Sequence, residues 1–201
     1  LKMGLTSAAP SCSSCHGTHA IKGREDPTSR THVSHAAETC GSCHAGVVKD
    51  FMASAHAAGL AAGRESPTCS TCHEPHAMKD PKATSTRAAM SDGCGNCHDD
   101  VAGTFRNSFH GKATVVGHAK SASCADCHTP HSNLAASDPR SSVHPDRLAE
   151  TCGACHKDVN ASFLSFDPHA NPSAPSRSLW LHWIWFGMTG LLIGVFGFFG
   201  L

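Results

Sequence analysis

The sequence predicts a mainly α-helical chain with much irregular coil, built of three similar modules and followed by one apolar C-terminal helix. Three observations predict this class. A short cysteine and histidine motif recurs along the chain, the first 177 residues are poor in large apolar side chains, and residues 178–201 contain no Asp, Glu, Lys or Arg.

The first 177 residues lack the side chains for an apolar core. All three Trp and four of the nine Phe lie after position 178, and Tyr is absent. Burying a large apolar side chain stabilises a fold by roughly 1.5–3 kcal/mol, whereas ordering the backbone costs about 1–2 kcal/mol for each residue. We therefore expect this part of the chain to need an apolar group from outside the polypeptide.

Charge and composition narrow the functional classes. The chain has 16 Lys and Arg against 16 Asp and Glu, so no strongly basic surface is available for nucleic acid. Its 12 cysteines and 17 histidines are far above ordinary usage. Such an excess indicates disulfides, metal sites or covalently attached cofactors.

Every cysteine belongs to one of six Cys-x-x-Cys-His motifs, numbered 1 to 6 along the chain. This is the motif of c-type haem attachment, in which the two thiols bond to the haem edge and the next imidazole binds the iron. The sequence thus predicts six covalently bound haem c groups. The predicted attachment residues are Cys12, Cys15, Cys40, Cys43, Cys69, Cys72, Cys94, Cys97, Cys124, Cys127, Cys152 and Cys155. The predicted proximal iron ligands are His16, His44, His73, His98, His128 and His156.

Two other uses of the motif, in zinc sites and in disulfides, explain the sequence less well. A zinc site combines two Cys-x-x-Cys halves into a tetrahedral set and does not require a histidine directly after each pair. Disulfides within each pair would leave the histidines unexplained and would not replace the missing core.

The motifs alternate between two types, which indicates three two-haem modules of about 55 residues each. Motifs 1, 3 and 5 carry a second histidine three residues after the first, and motifs 2, 4 and 6 carry one twelve or thirteen residues later. The later histidines are His19, His76 and His131 in the first type, and His56, His110 and His169 in the second.

The even motifs also carry Val three residues and Phe seven residues after the motif histidine, a spacing that predicts one helical face against a porphyrin. These residues are Val47, Val101, Val159, Phe51, Phe105 and Phe163.

A later histidine should not bind the haem of its own motif. Three residues along a helix, it would share a face with the proximal histidine and could not reach the opposite side of the iron. Twelve residues along a continuous helix, it would lie about 18 Å away. We therefore predict that all six later histidines are distal ligands supplied by neighbouring stretches of chain, so that ligation replaces the core. The alternative for each is a solvated side chain or a partner of a haem propionate.

Four further histidines do not recur in all three modules and are interpreted as supporting or surface residues, although any could replace a predicted ligand. They are His32, His35, His118 and His144.

Residues 177–201 are predicted to form a transmembrane anchor helix, or the start of a longer membrane part, after a haem-binding domain at residues 1–176. The run is long enough for one crossing of a bilayer, and Trp180, Trp183 and Trp185 lie where interfacial aromatics occur. His182 lies among them and is interpreted as an interfacial polar group, with ligation of a membrane haem or contact with a quinone as the alternative. No signal peptide is expected in the first ten residues, and the Pro- and Ser-rich residues 167–177 are expected to link the two parts.

The alternation of Cys-x-x-Cys-His-x-x-His with Thr-Cys-Gly-x-Cys-His motifs over residues 11–169 resembles multihaem c-type cytochromes with paired motifs. The resemblance implies a periplasmic or other extracytoplasmic protein with little regular secondary structure, closely packed bis-histidine haems and a role in respiratory electron transfer. It also implies redox partners, among them a quinol-linked membrane complex.

Three functions remain open at this stage. The first is an electron-transfer protein anchored in the membrane, which is not itself an enzyme. The second is a reductase of a small oxyanion, in which one haem has an open site. The third is a subunit whose haems connect a larger membrane complex.

Overall fold

The computed structural model describes residues 9–174 and 178–200. These residues form short helices joined by turns and coil, with no strand among them, and a single apolar helix follows at the C-terminal side, which confirms the helical class. In chain order the helices are α1 Cys12–His16, α2 Ala36–Met52, α3 Ala55–Ala61, α4 Cys69–Cys72, α5 Thr84–Gly95, α6 Asp99–Asn107, α7 Phe109–Val115, α8 Cys124–His128, a 3₁₀ turn Pro145–Arg147, α9 Leu148–Gly153, α10 Ala161–Leu164 and α11 Leu179–Phe199.

Each odd motif forms its own short helix, which begins at the first cysteine of the motif. The residue before that cysteine is Ser11, Thr68 or Ser123, and its backbone N–H donates to the side chain three residues later at 3.1, 3.0 and 2.6 Å respectively. This is one half of a capping box, which explains why Ser or Thr precedes the cysteine. The helix ends at the motif, so the second histidine lies in the following turn.

Motif 2 lies within α2, whereas motifs 4 and 6 begin at the C-terminal ends of α5 and α9. His44 interrupts α2 with φ −109° and ψ 43°. Beyond the motif the chain bends again, because Ser54 and Ser108 accept hydrogen bonds from the backbone N–H of Ala57 and Gly111, each at 3.1 Å, and so start the new helices α3 and α7.

These bends correct two expectations from the sequence. The premise of a continuous helix to the later histidine is wrong in modules 1 and 2, because the capping serines divide it. The premise of a helix through the second histidine of the odd motifs is also wrong. The predicted Val and Phe face is helical in α2 and α6, but Val159 lies outside α10.

Very little apolar surface is buried. Among the described residues the buried apolar side chains are Ala57 and Ala102. The accessible surface is 14580 Å², whereas a folded chain of 21.0 kDa should expose about 9,000 Å². The polypeptide is therefore an open framework, as the scarcity of apolar residues predicts.

Polar contacts hold the framework in its repeated shape. The side chains of Asp26, Asp80 and Asp138, each followed by Pro, accept the backbone N–H two residues later at 2.8, 2.9 and 2.9 Å, so the same turn occurs three times. Arg87 of α5 donates to the carbonyls of Ala119 and Ser121 at 3.0 and 2.8 Å, and to a carboxylate of α8 at 2.5 Å.

Helix α11 is set apart from the rest by its composition. It is 21 residues long and, by length and apolar composition, could cross a membrane, and none of it is buried within the protein. The predicted boundary between residues 176 and 177 lies outside the described residues, as does most of the segment in which a signal peptide was considered.

Candidate haem-binding sites

Five of the six motif histidines face a later histidine across a gap of nearly constant width. The ring centroids are 6.0 Å apart for His16 and His76, 6.2 Å for His98 and His56, 6.1 Å for His73 and His131, 5.9 Å for His156 and His110, and 6.2 Å for His128 and His169. Each pair joins one predicted proximal ligand to one predicted distal ligand. One predicted proximal ligand, His44, and one predicted distal ligand, His19, are in none of these five pairs.

The gap has the width that one haem iron needs. An iron bound at about 2 Å by a nitrogen of each of two opposed imidazoles holds the ring centroids roughly 6 Å apart. The planes of the five pairs differ by 15° to 50°, which axial imidazoles tolerate because each ligand rotates about its own bond to the metal. The donor set and the spacing therefore fit bis-histidine haem.

The electrostatics keep these imidazoles able to bind a metal. Burial lowers the pKa of His56 and His73, and the facing histidines, His98 and His131, lower it further. Burial likewise lowers the pKa of His128. A neutral imidazole offers the lone pair that a metal ligand needs, so the pairs favour the ligating form.

The twelve cysteines are all free thiols, and thiols of consecutive motifs shift each other's pKa. Burial raises the pKa of Cys40 to about 11, assisted by Cys69 of motif 3 and Cys15 of motif 1.

The same neighbour relation continues through the second half of the chain. A hydrogen bond to Cys124 of motif 5 raises the pKa of Cys94, to which Cys72 of motif 3 also contributes. Burial raises the pKa of Cys127, and so do Cys152 and Cys155 of motif 6. Together with the contacts around Cys40, these interactions connect motifs 1 to 6 in their order along the chain.

One residue that contacts a predicted distal ligand was missed from the sequence. Thr104, buried in α6, has its hydroxyl oxygen 3.0 Å from Nδ1 of His169 and donates its own proton to the Val101 carbonyl at 2.8 Å. A hydroxyl has one proton, so Nδ1–H of His169 must be the donor to Thr104. In this tautomer the lone pair is on Nε2, and a metal-bound histidine typically donates its other ring N–H to a neighbouring acceptor in this way. Thr104 belongs to no repeat, so no sequence pattern pointed to it.

A glycine also positions one ligand. Gly111 follows His110 at the start of α7, and a Cβ atom there would overlap the backbone carbonyl oxygen of Phe105 at the end of α6. The close approach of these two helices sets the position of His110, whose ring faces His156. The Phe163 ring, 4.9 Å from that of His156, adds an apolar side chain at the same site.

The four histidines outside the pattern are engaged elsewhere or lie outside the pairs. Nε2 of His35 is 3.1 Å from the Pro27 carbonyl, and Nδ1 of His32 is 2.7 Å from the Ser34 hydroxyl. Nδ1 of His144 accepts a backbone N–H at 3.3 Å. His118 is in none of the five ring pairs.

The residue geometry also bears on the zinc alternative. Within residues 9–174 and 178–200, no three His, Cys, Asp or Glu side chains come together as a tetrahedral metal site would require. The paired imidazoles instead provide two opposed donors, which is the arrangement that a haem iron uses.

The structure also connects helix α11 to the histidine framework. Nδ1–H of His182 donates to the carbonyl of Pro172 at 2.8 Å. Pro172 lies three residues after His169, so the first turns of the apolar helix are tied to a segment that carries an imidazole of a pair.

Comparison with known proteins agrees with this site. A family model described as a doubled CXXCH motif matches residues 60–103, which contain motifs 3 and 4. No curated protein and no solved structure is significantly similar to the chain. The match supports a c-type cytochrome with CXXCH motifs, and these motifs imply covalently bound haem c.

Proposed function

We propose that the chain is an extracytoplasmic hexahaem cytochrome c, anchored in a membrane by α11, that carries electrons between a quinol-linked membrane partner and an extracytoplasmic redox partner. The observation that carries the proposal is the set of five imidazole pairs with centroids 5.9 to 6.2 Å apart. Haem iron with two axial imidazoles supplies a one-electron couple without exchanging ligands, which suits electron transfer.

In this proposal the cysteines of each motif attach one haem, the motif histidine is the proximal ligand and the facing histidine is the distal ligand. The thiol contacts support a route that follows the chain from motif 1 to motif 6, because each motif has the next as its neighbour. The open framework supports six haems as the apolar filling of residues 1–176.

The membrane side of the proposal rests on α11. Its length and lack of charge suit a single crossing, and three Trp occupy its first turns. Because c-type haem attachment takes place outside the cytoplasm, the haem-binding part would face the periplasm or an equivalent space.

The enzyme alternative has one specific point in its favour. The five ring pairs leave His44 of motif 2 outside them. A haem at this motif with an open sixth position would suit a reductase of a small oxyanion.

The experiment is spectroscopy of the full-length protein purified in detergent. We expect six haem irons per chain, all low-spin in the ferric state, and no spectral change when cyanide is added. A high-spin signal of about one haem per chain that cyanide removes would favour the reductase instead. Fewer than six haems per chain would contradict the hexahaem proposal directly.

The membrane partner is tested separately by reduction of the protein with membranes and quinol. A variant with His182→Phe that keeps its six haems and is reduced at the wild-type rate would show that His182 takes no part in quinol oxidation. The third alternative, a subunit of a larger membrane complex, predicts that the purified chain alone accepts no electrons from quinol.

A further inference from the structure

Most of the imidazole pairs join histidines from two different modules of the sequence. Module 1 comprises residues 11–56, module 2 residues 68–110 and module 3 residues 123–169, each with one odd and one even motif. If each module were self-contained, both of its proximal histidines would face histidines of that same module. Four of the five observed pairs instead join two different modules.

The exchange follows one rule at both module boundaries. An odd motif faces the early histidine of the next module, as His16 faces His76. An even motif faces the late histidine of the preceding module, as His98 faces His56. The same two relations hold between modules 2 and 3, in the pairs His73–His131 and His156–His110. Each boundary is therefore spanned twice, once in each direction.

The remaining proximal histidines depart from this rule. In module 3 the odd-motif histidine, His128, faces His169 of its own module. In module 1 the even-motif histidine, His44, is in none of the five pairs. The histidine left over is His19 of module 1.

The position of motif 1 supports this last assignment. A Cβ atom at Gly17 would lie 4.0 Å from the Arg30 side chain, and the Arg30 carbonyl accepts a hydrogen bond at 2.7 Å from the hydroxyl of Thr39, directly before motif 2. His19 follows Cys15 by four residues, and its backbone turns away from α1 at Gly17, where φ is +77°.

We propose that adjacent modules exchange distal haem ligands in both directions and that modules 1 and 3 each also contain one pairing within the module, with His19 as the second ligand of the iron held by His44. This inference rests on the proposed bis-histidine haems and adds which histidine serves which iron. Its structural consequence is that every module boundary is bridged by two irons, so the three modules form one unit that cannot be divided without opening haems on both sides of a cut.

The experiment combines the substitution of one distal histidine with the removal of one haem at a time in the full-length protein. His76→Ala should open one iron and give a ferric high-spin signal of about one haem per chain. Removing haem 1 by Cys12→Ala and Cys15→Ala should abolish that gain, because its iron is then absent. Removing haem 3 by Cys69→Ala and Cys72→Ala should leave the gain unchanged.

The matched control is His131→Ala in the same two backgrounds, and the opposite result is expected. Its high-spin gain should disappear when haem 3 is removed and persist when haem 1 is removed. The end assignment is tested in the same way: the gain from His19→Ala should disappear only with Cys40→Ala and Cys43→Ala. If His76→Ala loses its effect on removal of haem 4, the other haem of its own module, the exchange is overturned.

Two further results keep the inference separate from the proposed function. A high-spin haem already present in the wild-type protein would contradict full bis-histidine ligation, yet the crosses with His76 and His131 would still decide the exchange. If a cysteine variant yields no holoprotein, a crystal structure of the wild-type holoprotein decides instead. An iron that joins His16 to any histidine other than His76 would overturn the rule.

Discussion

Replacing Thr104 by Val should weaken one axial ligand without disturbing the fold around it. Valine has nearly the shape of threonine but no hydroxyl, so Nδ1–H of His169 loses the acceptor that now lies 3.0 Å away. The site is closely packed, since Thr104 is only 8 % exposed. The lost contact therefore cannot be replaced by bulk water at no cost.

The size of the effect follows from that hydrogen bond. Leaving a buried donor without its partner costs about 1–3 kcal/mol, which corresponds to roughly 5- to 150-fold weaker binding of the His169 imidazole to its iron. The range agrees with the loss of about 10- to 100-fold that is common when a residue supporting a metal ligand is removed. One haem of the protein should therefore exchange its distal ligand more readily than the others.

The assay is competition with an external ligand. Cyanide should bind to a single ferric haem of the Thr104→Val protein at concentrations that leave the wild type unchanged. Thr104→Ser keeps the hydroxyl and should behave like the wild type. If the Val and Ser variants resist cyanide equally, Thr104 does not position His169 and the tautomer argument is refuted.

Three further predictions concern the framework. Gly111→Ala should displace the start of α7 and give a high-spin signal from one haem. Gly103→Ala, in α6 with open space around its added Cβ, should not. Equal spectra would show that the close contact of Gly111 with the Phe105 carbonyl does not position His110. Arg87→Met removes three hydrogen bonds from a side chain that is 21 % exposed, so we expect a fall of about 1–3 kcal/mol in the free energy of unfolding and a smaller fall for the exposed Arg140→Met. Both are measured by denaturant titration at equal haem content, and a loss at Arg87 no larger than that at Arg140 would contradict its role. Hydrogen bonds from Arg140 lower the pKa of Asp138 to about 2, so this pair should stabilise the fold above about pH 4 and lose that effect as the pH falls towards 2. NMR titration should show a higher pKa of Asp138 in Arg140→Gln. An unchanged pKa would exclude Arg140 as the cause of the low value.

The ligand types could be predicted from the sequence because they depend on local chemistry. The cysteine spacing predicts attachment, and the counts of proximal and later histidines agree. The five facing pairs consist only of histidines that the repeat had singled out. A role as iron ligands stays a prediction for all of them, including His19 and His44.

The pairing itself could not be predicted, because it depends on contacts between residues far apart in the chain. His73 and His131 are 58 positions apart, and nothing in the local pattern around His73 marks His131 as its partner. No observed ring pair joins a later histidine to the histidine of its own motif. The continuous helices assumed up to His56 and His110 are nevertheless absent, because Ser54 and Ser108 cap new helices and so offer the backbone an alternative partner.

The ligand exchange gives a physical reason for irregularities that the repeat otherwise leaves unexplained. His56 and His110 follow their motif histidines by twelve residues and face other modules, whereas His169 follows by thirteen and faces its own. The extra residue and the neighbouring proline occur where the chain must turn back instead of reaching outward.

The other end of the array departs from the pattern in a corresponding way. The exchanged early histidines His76 and His131 each follow a proline, but Thr18 precedes His19. Proline fixes the backbone in an extended form, which suits a ligand directed at a neighbouring module. Without it, and with Gly17 in the left-handed region, the chain at His19 is free to fold back on module 1. Modules 1 and 3, which each contain a pairing within the module in this proposal, thus differ from module 2 in the sequence next to the histidine concerned. Thr18→Pro should therefore hinder the binding of His19 to the iron held by His44 and raise the high-spin signal. Pro75→Thr should leave the haem of motif 2 unchanged.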